Sequence, residues 1–265
     1  MSSLSIQTRG RGDTHLVLLH GWAMSSAVFA PLVERLEDHC TLHLIDLPGH
    51  GRSRDSAVPL TLNACANAIA QATPPAIWLG WSLGGLVALH AALHFQANVR
   101  ALAMLCASPR FVRSGDWPYA ISSEILQQFA TDLRRDYRGT LERFLALEAL
   151  GSDCAWEDLR RLRRDALRDH APDVRALCDA LDILENTDLR SSLRDLRQSS
   201  VWIAGRRDRL MPWQAMQWAA QQCAGTFTRL DGGGHAPFIG HADEVARALQ
   251  PLIDATFRRP ASTLR

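Results

Sequence analysis

Short apolar runs alternate along this chain with longer stretches whose apolar positions recur every three or four residues. The runs at 15–20 (HLVLLH), 41–46 (TLHLID), 76–80 (AIWLG) and 99–106 are too continuous for half-exposed strands and predict strands buried on both faces. Between them, 27–37, 62–72 and 83–94 have helical periodicity, and Thr61 is placed to cap the second helix. The rhythm returns with a strand at 201–204, a helix at 213–223, a strand at 226–230 and a helix at 243–257. Alternation of this kind predicts an α/β fold, a mostly parallel sheet with helices on both faces.

The stretch from 110 to 187 breaks the rhythm. It holds no convincing strand and is rich in charged helical patterns, as at 125–135 and 140–150. A helical insertion is the natural reading, with residues 1–109 and 188–265 forming one core and 110–187 a lid. Sites in open parallel sheets lie beyond the carboxyl ends of the strands, so an insertion leaving from that edge roofs the site.

Composition narrows the chemistry. The chain has 265 residues, 47% of them apolar, and a formal net charge of +1, which argues against disorder and against a dedicated nucleic-acid binder. No apolar run approaches the ~20 residues needed to cross a bilayer, and the first thirty residues lack the pattern of an export signal. A cytoplasmic protein is expected. All 29 basic residues are arginine, so a P-loop lysine or a Schiff-base lysine is excluded. Cys40, Cys65, Cys106, Cys154, Cys178 and Cys223 are scattered without zinc spacing and read as reduced cysteines. His90 and His94 stand i, i+4, yet Ala91 lies where H-E-x-x-H needs glutamate, and neither a metal nor an organic cofactor is expected.

One candidate nucleophile stands out. Gly80-Trp81-Ser82-Leu83-Gly84 is a G-x-S-x-G pattern between a predicted strand and a predicted helix, where a strained turn needs neighbours without bulk. A serine needs a base, and His235 lies in a glycine-rich loop after the last predicted strand (DGGGHAPF). The base needs an acid to orient it. Asp208 follows the strand at 201–204, whereas its nearest rival, Asp188, precedes a polar stretch. Two N–H groups are expected to face the carbonyl oxygen, those of Leu83 and of Trp22 after His20-Gly21.

These residues, with H-G at 20–21, DLPGHGRS at 46–53, GWSLGG at 80–85 and GGGHAPF at 232–238, resemble the α/β-hydrolase superfamily. Further, LVLLHGW at 16–22, IWLGWSLGGLVA at 77–88 and ERFLAL at 142–147 resemble the pimeloyl-[acyl-carrier protein] methyl ester esterases of biotin synthesis. The likeness spans nearly the whole chain. It implies an α/β-hydrolase fold with a helical lid, and a Ser82–His235–Asp208 triad with Trp22 and Leu83 at the carbonyl. It also implies hydrolysis of the methyl ester at the distal end of a carrier-tethered pimeloyl chain. Phe144, Leu145, Ala146, Leu147 and Glu148 are the implied acyl-chain contacts, where a neutral glutamine is expected at 148.

Acyl carrier proteins are acidic, so a basic docking face is expected. Arg160, Arg161, Arg163, Arg164 and Arg168 cluster on one predicted helix and Arg138 and Arg143 on another. Arg138, Arg143, Arg160 and Arg164 are the candidate docking residues, while Trp156 stands where the resemblance implies a basic residue. Glu157, Asp158, Asp165 and Asp169 interleave, so a solvated helix laced by i, i+4 ion pairs is the alternative. A monomer is expected. Two other functions stay open: a broad short-chain carboxylesterase outside biotin synthesis, and a non-catalytic hydrolase-fold binding protein.

Overall fold

The computed structural model describes residues 3–166 and 172–257. The chain opens with an antiparallel edge strand, β1 (Ile6–Gly10), then enters the interior as β2 (Thr14–Leu19). A 3-10 turn at Ser26–Phe29 leads into α1 (Ala30–Leu36), which divides the single helix expected at 27–37. Pro31 begins that helix, where a missing N–H costs nothing. Next come β3 (Cys40–Ile45), α2 (Leu62–Ala72), β4 (Ala76–Trp81), α3 (Leu83–His94) and β5 (Val99–Leu105). Thr61 caps α2, its hydroxyl accepting the Ala64 N–H at 3.2 Å, as the sequence predicts.

Among the described residues, four α-helices lie between β5 and the next strand: α4 (Ser123–Arg135), α5 (Tyr137–Ala149), α6 (Ala155–Ala166) and α7 (Val174–Asn186). Asp136 and Asp173 cap α5 and α7 with their carboxylates. The two ends of this segment meet. Leu189 N–H donates to Pro109 C=O at 2.9 Å, and Arg110 pairs with Asp188 at 2.6 Å. The core then resumes with β6 (Ser199–Gly205), α8 (Trp213–Gln222), β7 (Thr226–Leu230), the short α9 (Pro237–Gly240) and α10 (Ala242–Phe257).

The seven strands form one sheet in the order β1-β3-β2-β4-β5-β6-β7, all parallel except β1. Every residue of β4 is buried, as a strand covered on both faces requires. The apolar α3 lies at the centre of the molecule, where a β-carbon on Gly84 would sit 2.3 Å from the Leu19 carbonyl oxygen. The sequence reading missed β1, because IQTRG has neither an apolar run nor clean alternation and three of its five residues are exposed. Its place is set by pairing with β3, Ile6 opposite Ile45 through Gly10 opposite Thr41. Among the described residues no helix is long and apolar enough to cross a membrane.

Candidate active site

Ser82 sits between β4 and α3 with φ 54° and ψ −120°, a conformation that costs a non-glycine residue of order 1–3 kcal/mol. The turn is possible because Gly80 and Gly84 lie against each other. A β-carbon on Gly80 would approach the Gly84 carbonyl oxygen to 2.2 Å. The sharp turn lifts the hydroxyl off the carboxyl end of the central strand at the N-terminus of α3, where orphan N–H groups gather.

The imidazole of His235 meets that hydroxyl. Its Nε2 lies 3.0 Å from Ser82 Oγ and its Nδ1 lies 2.8 Å from Asp208 Oδ2. The other carboxylate oxygen of Asp208 accepts the N–H groups of Leu210 at 2.8 Å and Met211 at 2.9 Å. Asp208 is thus held by its own loop, leaving Oδ2 for the imidazole. The backbone of His235 is fixed as well: its carbonyl accepts from Trp81 Nε1 at 2.7 Å, and its N–H donates to the Glu148 carbonyl at 3.4 Å. Arg207 N–H donates to Gly233 C=O at 3.0 Å and ties the loops after β6 and β7 together. Three residues far apart in sequence therefore form one hydrogen-bonded chain, with Ser82 5% exposed and His235 1% exposed.

Asp188 is elsewhere. It pairs with Arg110 and Arg190, and these bonds hold its carboxyl down at about 2. His20 shapes the neighbouring turn, its Nδ1–H donating to Gly21 C=O at 2.8 Å and its Nε2 accepting the Leu47 N–H at 3.0 Å. Burial lowers its pKa and favours the neutral ring these contacts require. Asp46, in DLPGHGRS, accepts the N–H groups of Ser26 at 2.7 Å and Arg52 at 2.9 Å and so closes the adjoining loop. His90 and His94 lie tilted against each other with ring centroids 4.4 Å apart, and burial pushes His90 down to about 4.

Leu83 is the first residue of α3, and Trp22 follows Gly21, where an added β-carbon would lie 3.1 Å from the Trp81 ring and 3.2 Å from the β-carbon of Ser82. The side chain of Trp22 turns to the helical segment. Its Nε1 donates to Leu177 C=O on α7 at 2.9 Å, and its ring meets Phe144 of α5 edge-on at 4.5 Å. The run 144–148 does not act as one face. Phe144, Leu145 and Glu148 are buried, Leu147 is half-buried and Ala146 is exposed, as 100° per residue on a helix dictates.

Glu148 and Cys106 carry information the sequence did not. Glu148 is 1% exposed and neither carboxyl oxygen has a hydrogen-bond partner; burial first, then the charge of Asp208, pushes its carboxyl well above the usual range. Cys106 follows β5 at φ 44° with its thiol 3.6 Å from the Gly234 carbonyl, and burial pushes its pKa up. Its Sγ lies within 4.8 Å of ligand atoms of Asp208 and His235, a grouping whose histidine and aspartate belong to the hydrogen-bonded chain that ends at Ser82. The left-handed backbone that brings Cys106 here has no glycine or asparagine to signal it.

Of the candidate docking residues, Arg138, Arg160 and Arg164 are exposed on α5 and α6. Arg143 is partly committed to Asp132 at 3.3 Å and Asp136 at 3.7 Å. Arg163 pairs with Glu142 at 2.6 Å, and Arg161 with Asp165 at 3.8 Å in the i, i+4 manner. Trp156 is 75% exposed and, with Leu159, Arg160, Arg163 and Arg164, lines a surface groove of about 320 Å³. Arg168 and Asp169 lie outside the described residues.

Residues 14–242 match the family model of the alpha/beta hydrolase fold. The chain is 55% identical over 251 residues to a pimeloyl-[acyl-carrier protein] methyl ester esterase of Stenotrophomonas maltophilia, covering 94% of this chain and 96% of that one. It is 56% identical over 254 residues to the protein of that name from Xanthomonas campestris pv. campestris, covering 95% and 99%. Among solved structures, an esterase from Exiguobacterium antarcticum superposes with a TM-score of 0.83 at 20% identity, covering 95% of each chain. At that identity the likeness speaks for the fold. With near-complete coverage at more than half identity, and a serine, histidine and aspartate already meeting at the sheet edge, the chain is a carboxylesterase that belongs to the α/β-hydrolase family of pimeloyl-[acyl-carrier protein] methyl ester esterases.

Proposed function

We propose that this chain hydrolyses the methyl ester of pimeloyl-[acyl-carrier protein], releasing methanol and the free carboxylate, as a step of biotin biosynthesis in the cytoplasm. The observation that carries the reading is the Ser82–His235–Asp208 chain of 3.0 and 2.8 Å contacts. The relatives' names supply the substrate, and six unpaired cysteines agree with a reducing compartment.

In the first half-reaction Ser82 Oγ attacks the ester carbonyl while its proton passes to His235 Nε2. Asp208 holds the Nδ1–H and stabilises the imidazolium without taking the proton. The oxyanion lies against the N–H groups of Leu83 and Trp22, each such donor being worth roughly 3 kcal/mol in the barrier. The tetrahedral species collapses with cleavage of the bond to methoxide, which leaves as methanol with the proton from His235. Water then attacks the acyl-serine, His235 takes its proton, and collapse returns that proton to Ser82 Oγ. No step requires a metal or an organic cofactor.

Residues 110–187 act as the lid, with Phe144 and Trp22 as the apolar wall of the acyl channel beside Trp81 and Leu83. Each buried methylene contributes about 0.8 kcal/mol, which grips the chain but measures its length poorly. Arg138, Arg143, Arg160 and Arg164 face the acidic carrier. The test is growth of a biotin auxotroph lacking its own esterase when this chain is supplied, alongside methanol release from the carrier-bound ester in vitro. Growth and release are expected. Soluble, active esterase that hydrolyses p-nitrophenyl butyrate but neither restores growth nor cleaves the carrier ester would leave the broad carboxylesterase standing.

A further inference from the structure

Away from the triad, the root of α6 meets the junction of α9 and α10 in a cluster of mixed donors. Asp153 Oδ, Cys154 Sγ and a ring nitrogen of His241 lie within 4.8 Å of one another. His241 Nε2 is 2.8 Å from Asp153 Oδ1, and its Nδ1 is 3.0 Å from Glu244 Oε1. A carboxylate on one ring nitrogen that aims the other into a ligand set is how metal-bound histidines are oriented.

Two glycines leave the cluster its space. A β-carbon on Gly232 would lie 2.2 Å from Asp153 Oδ2 and 2.7 Å from His241 Cε1. One on Gly240 would lie 2.9 Å from Cys154 Sγ and 3.3 Å from Asp158 Oδ1. Asp158 is 1% exposed, and this Oδ1 has no hydrogen-bond partner. A buried, unpartnered carboxylate oxygen packed near the same glycine as a thiol is costly unless something positive joins it. Asp153, Asp158 and Glu244 surround the single imidazole, with the charge of Arg207 bearing on Asp153, so the cluster is rich in negative charge.

We infer that Asp153, Cys154 and His241 form a binding site for one divalent transition-metal ion of the zinc class, with the buried carboxylate of Asp158 beside it. Thiolate and imidazole exclude magnesium and calcium, which take oxygen ligands. Tetrahedral zinc holds its donors roughly 3.2–3.8 Å apart, so the 2.8 Å pair of Nε2 and Oδ1 opens slightly to admit the ion as the thiolate joins it. The ion replaces the Nε2 and thiol protons, which leave to solvent. It would staple the helical segment to α9–α10, three residues upstream of His235 by way of Gly232. The site takes no part in ester cleavage, so its failure and the failure of the esterase reading are separate events.

The test is a titration of the chelator-treated full-length protein with Co²⁺, followed by Zn²⁺. One Co²⁺ per chain is expected, with near-ultraviolet thiolate-to-cobalt absorption and visible bands of tetrahedral strength, both abolished by Zn²⁺. C154S should lose the near-ultraviolet band and bind at least 10-fold more weakly, while C178S keeps both. H241Q should weaken binding likewise; if it fails to fold, C154S alone decides. Zn²⁺ should raise the Tm of the wild type and not that of C154S. A wild-type protein giving no thiolate band, or a band that survives C154S, overturns the site.

Discussion

Buried charge is treated in opposite ways on the two sides of the active site. On the sheet side, Asp208 is 7% exposed and both its oxygens are engaged, one by two backbone N–H groups and the other by His235. On the helical side, Glu148 is buried as deeply at the end of α5 with both oxygens unpartnered, and burial, then the charge of Asp208, pushes its carboxyl well above the usual range. One acid is organised by its hydrogen bonds, the other is buried without any. On the proposed function, the difference divides the labour: the sheet edge supplies preorganised chemistry, and the helices supply shape, apolar walls and an exposed arginine face.

The sharpest way to break that division is to remove one charge from each side. D208N keeps the shape of the acid but removes the charge that stabilises the imidazolium, and kcat should fall by about 10⁴ with the far-ultraviolet spectrum unchanged. E148Q should change kcat at pH 7 by less than about 10-fold. Steady-state hydrolysis of p-nitrophenyl butyrate checks both, and equal losses would mean that the two acids act as one unit.

Next in size is the arginine face. R160E combined with R164E reverses two exposed charges on α6 beside Trp156, well away from Ser82 in sequence and element. Here kcat/KM for the carrier-bound ester should fall roughly 10–100-fold, and the loss should shrink as salt rises. Activity on p-nitrophenyl butyrate should stay within about two-fold. Equal losses on both substrates would remove the docking reading and leave a helix tied by pairs such as Arg161–Asp165. A smaller effect belongs to Phe144, whose ring meets Trp22 at 4.5 Å. F144A should lower kcat/KM for a pimeloyl-length methyl ester by roughly 10-fold and for methyl acetate by much less; an equal loss on both would show a packing role only.

What could be read without coordinates follows the same boundary. Ser82, Asp208 and His235 were legible because each follows a strongly patterned strand and the turn at Ser82 carries its own glycines. The helices at 123–166 and 174–186 were legible from charge and periodicity. The edge strand β1 was not, because its polar residues take their conformation from pairing with β3. Nor could a five-residue run at 144–148 reveal that helical rotation turns Ala146 outward while burying Glu148. Cys106 looked like any apolar-run cysteine until its left-handed backbone set it beside the acid and base.

The mildest test bears on Glu148 and on stability. Its carboxyl is raised in the folded protein, whereas in the unfolded chain it returns to about 4.3. Below that value both states are protonated and the group costs nothing. As pH rises above it, the unfolded chain loses its proton while the folded chain keeps it, so unfolding becomes progressively easier until the folded carboxyl itself ionises. The slope for one proton is at most about 1.4 kcal/mol per pH unit, and the window opens at the unfolded pKa and closes at the folded one. Glutamine has no proton to lose. The Tm difference, E148Q minus wild type, should therefore be smallest near pH 4, grow as pH rises above that, and level off once the folded carboxyl ionises. Thermal melts across that range decide it. A difference that does not vary with pH would mean that Glu148 finds a partner in solution, and the contrast with Asp208 would then vanish.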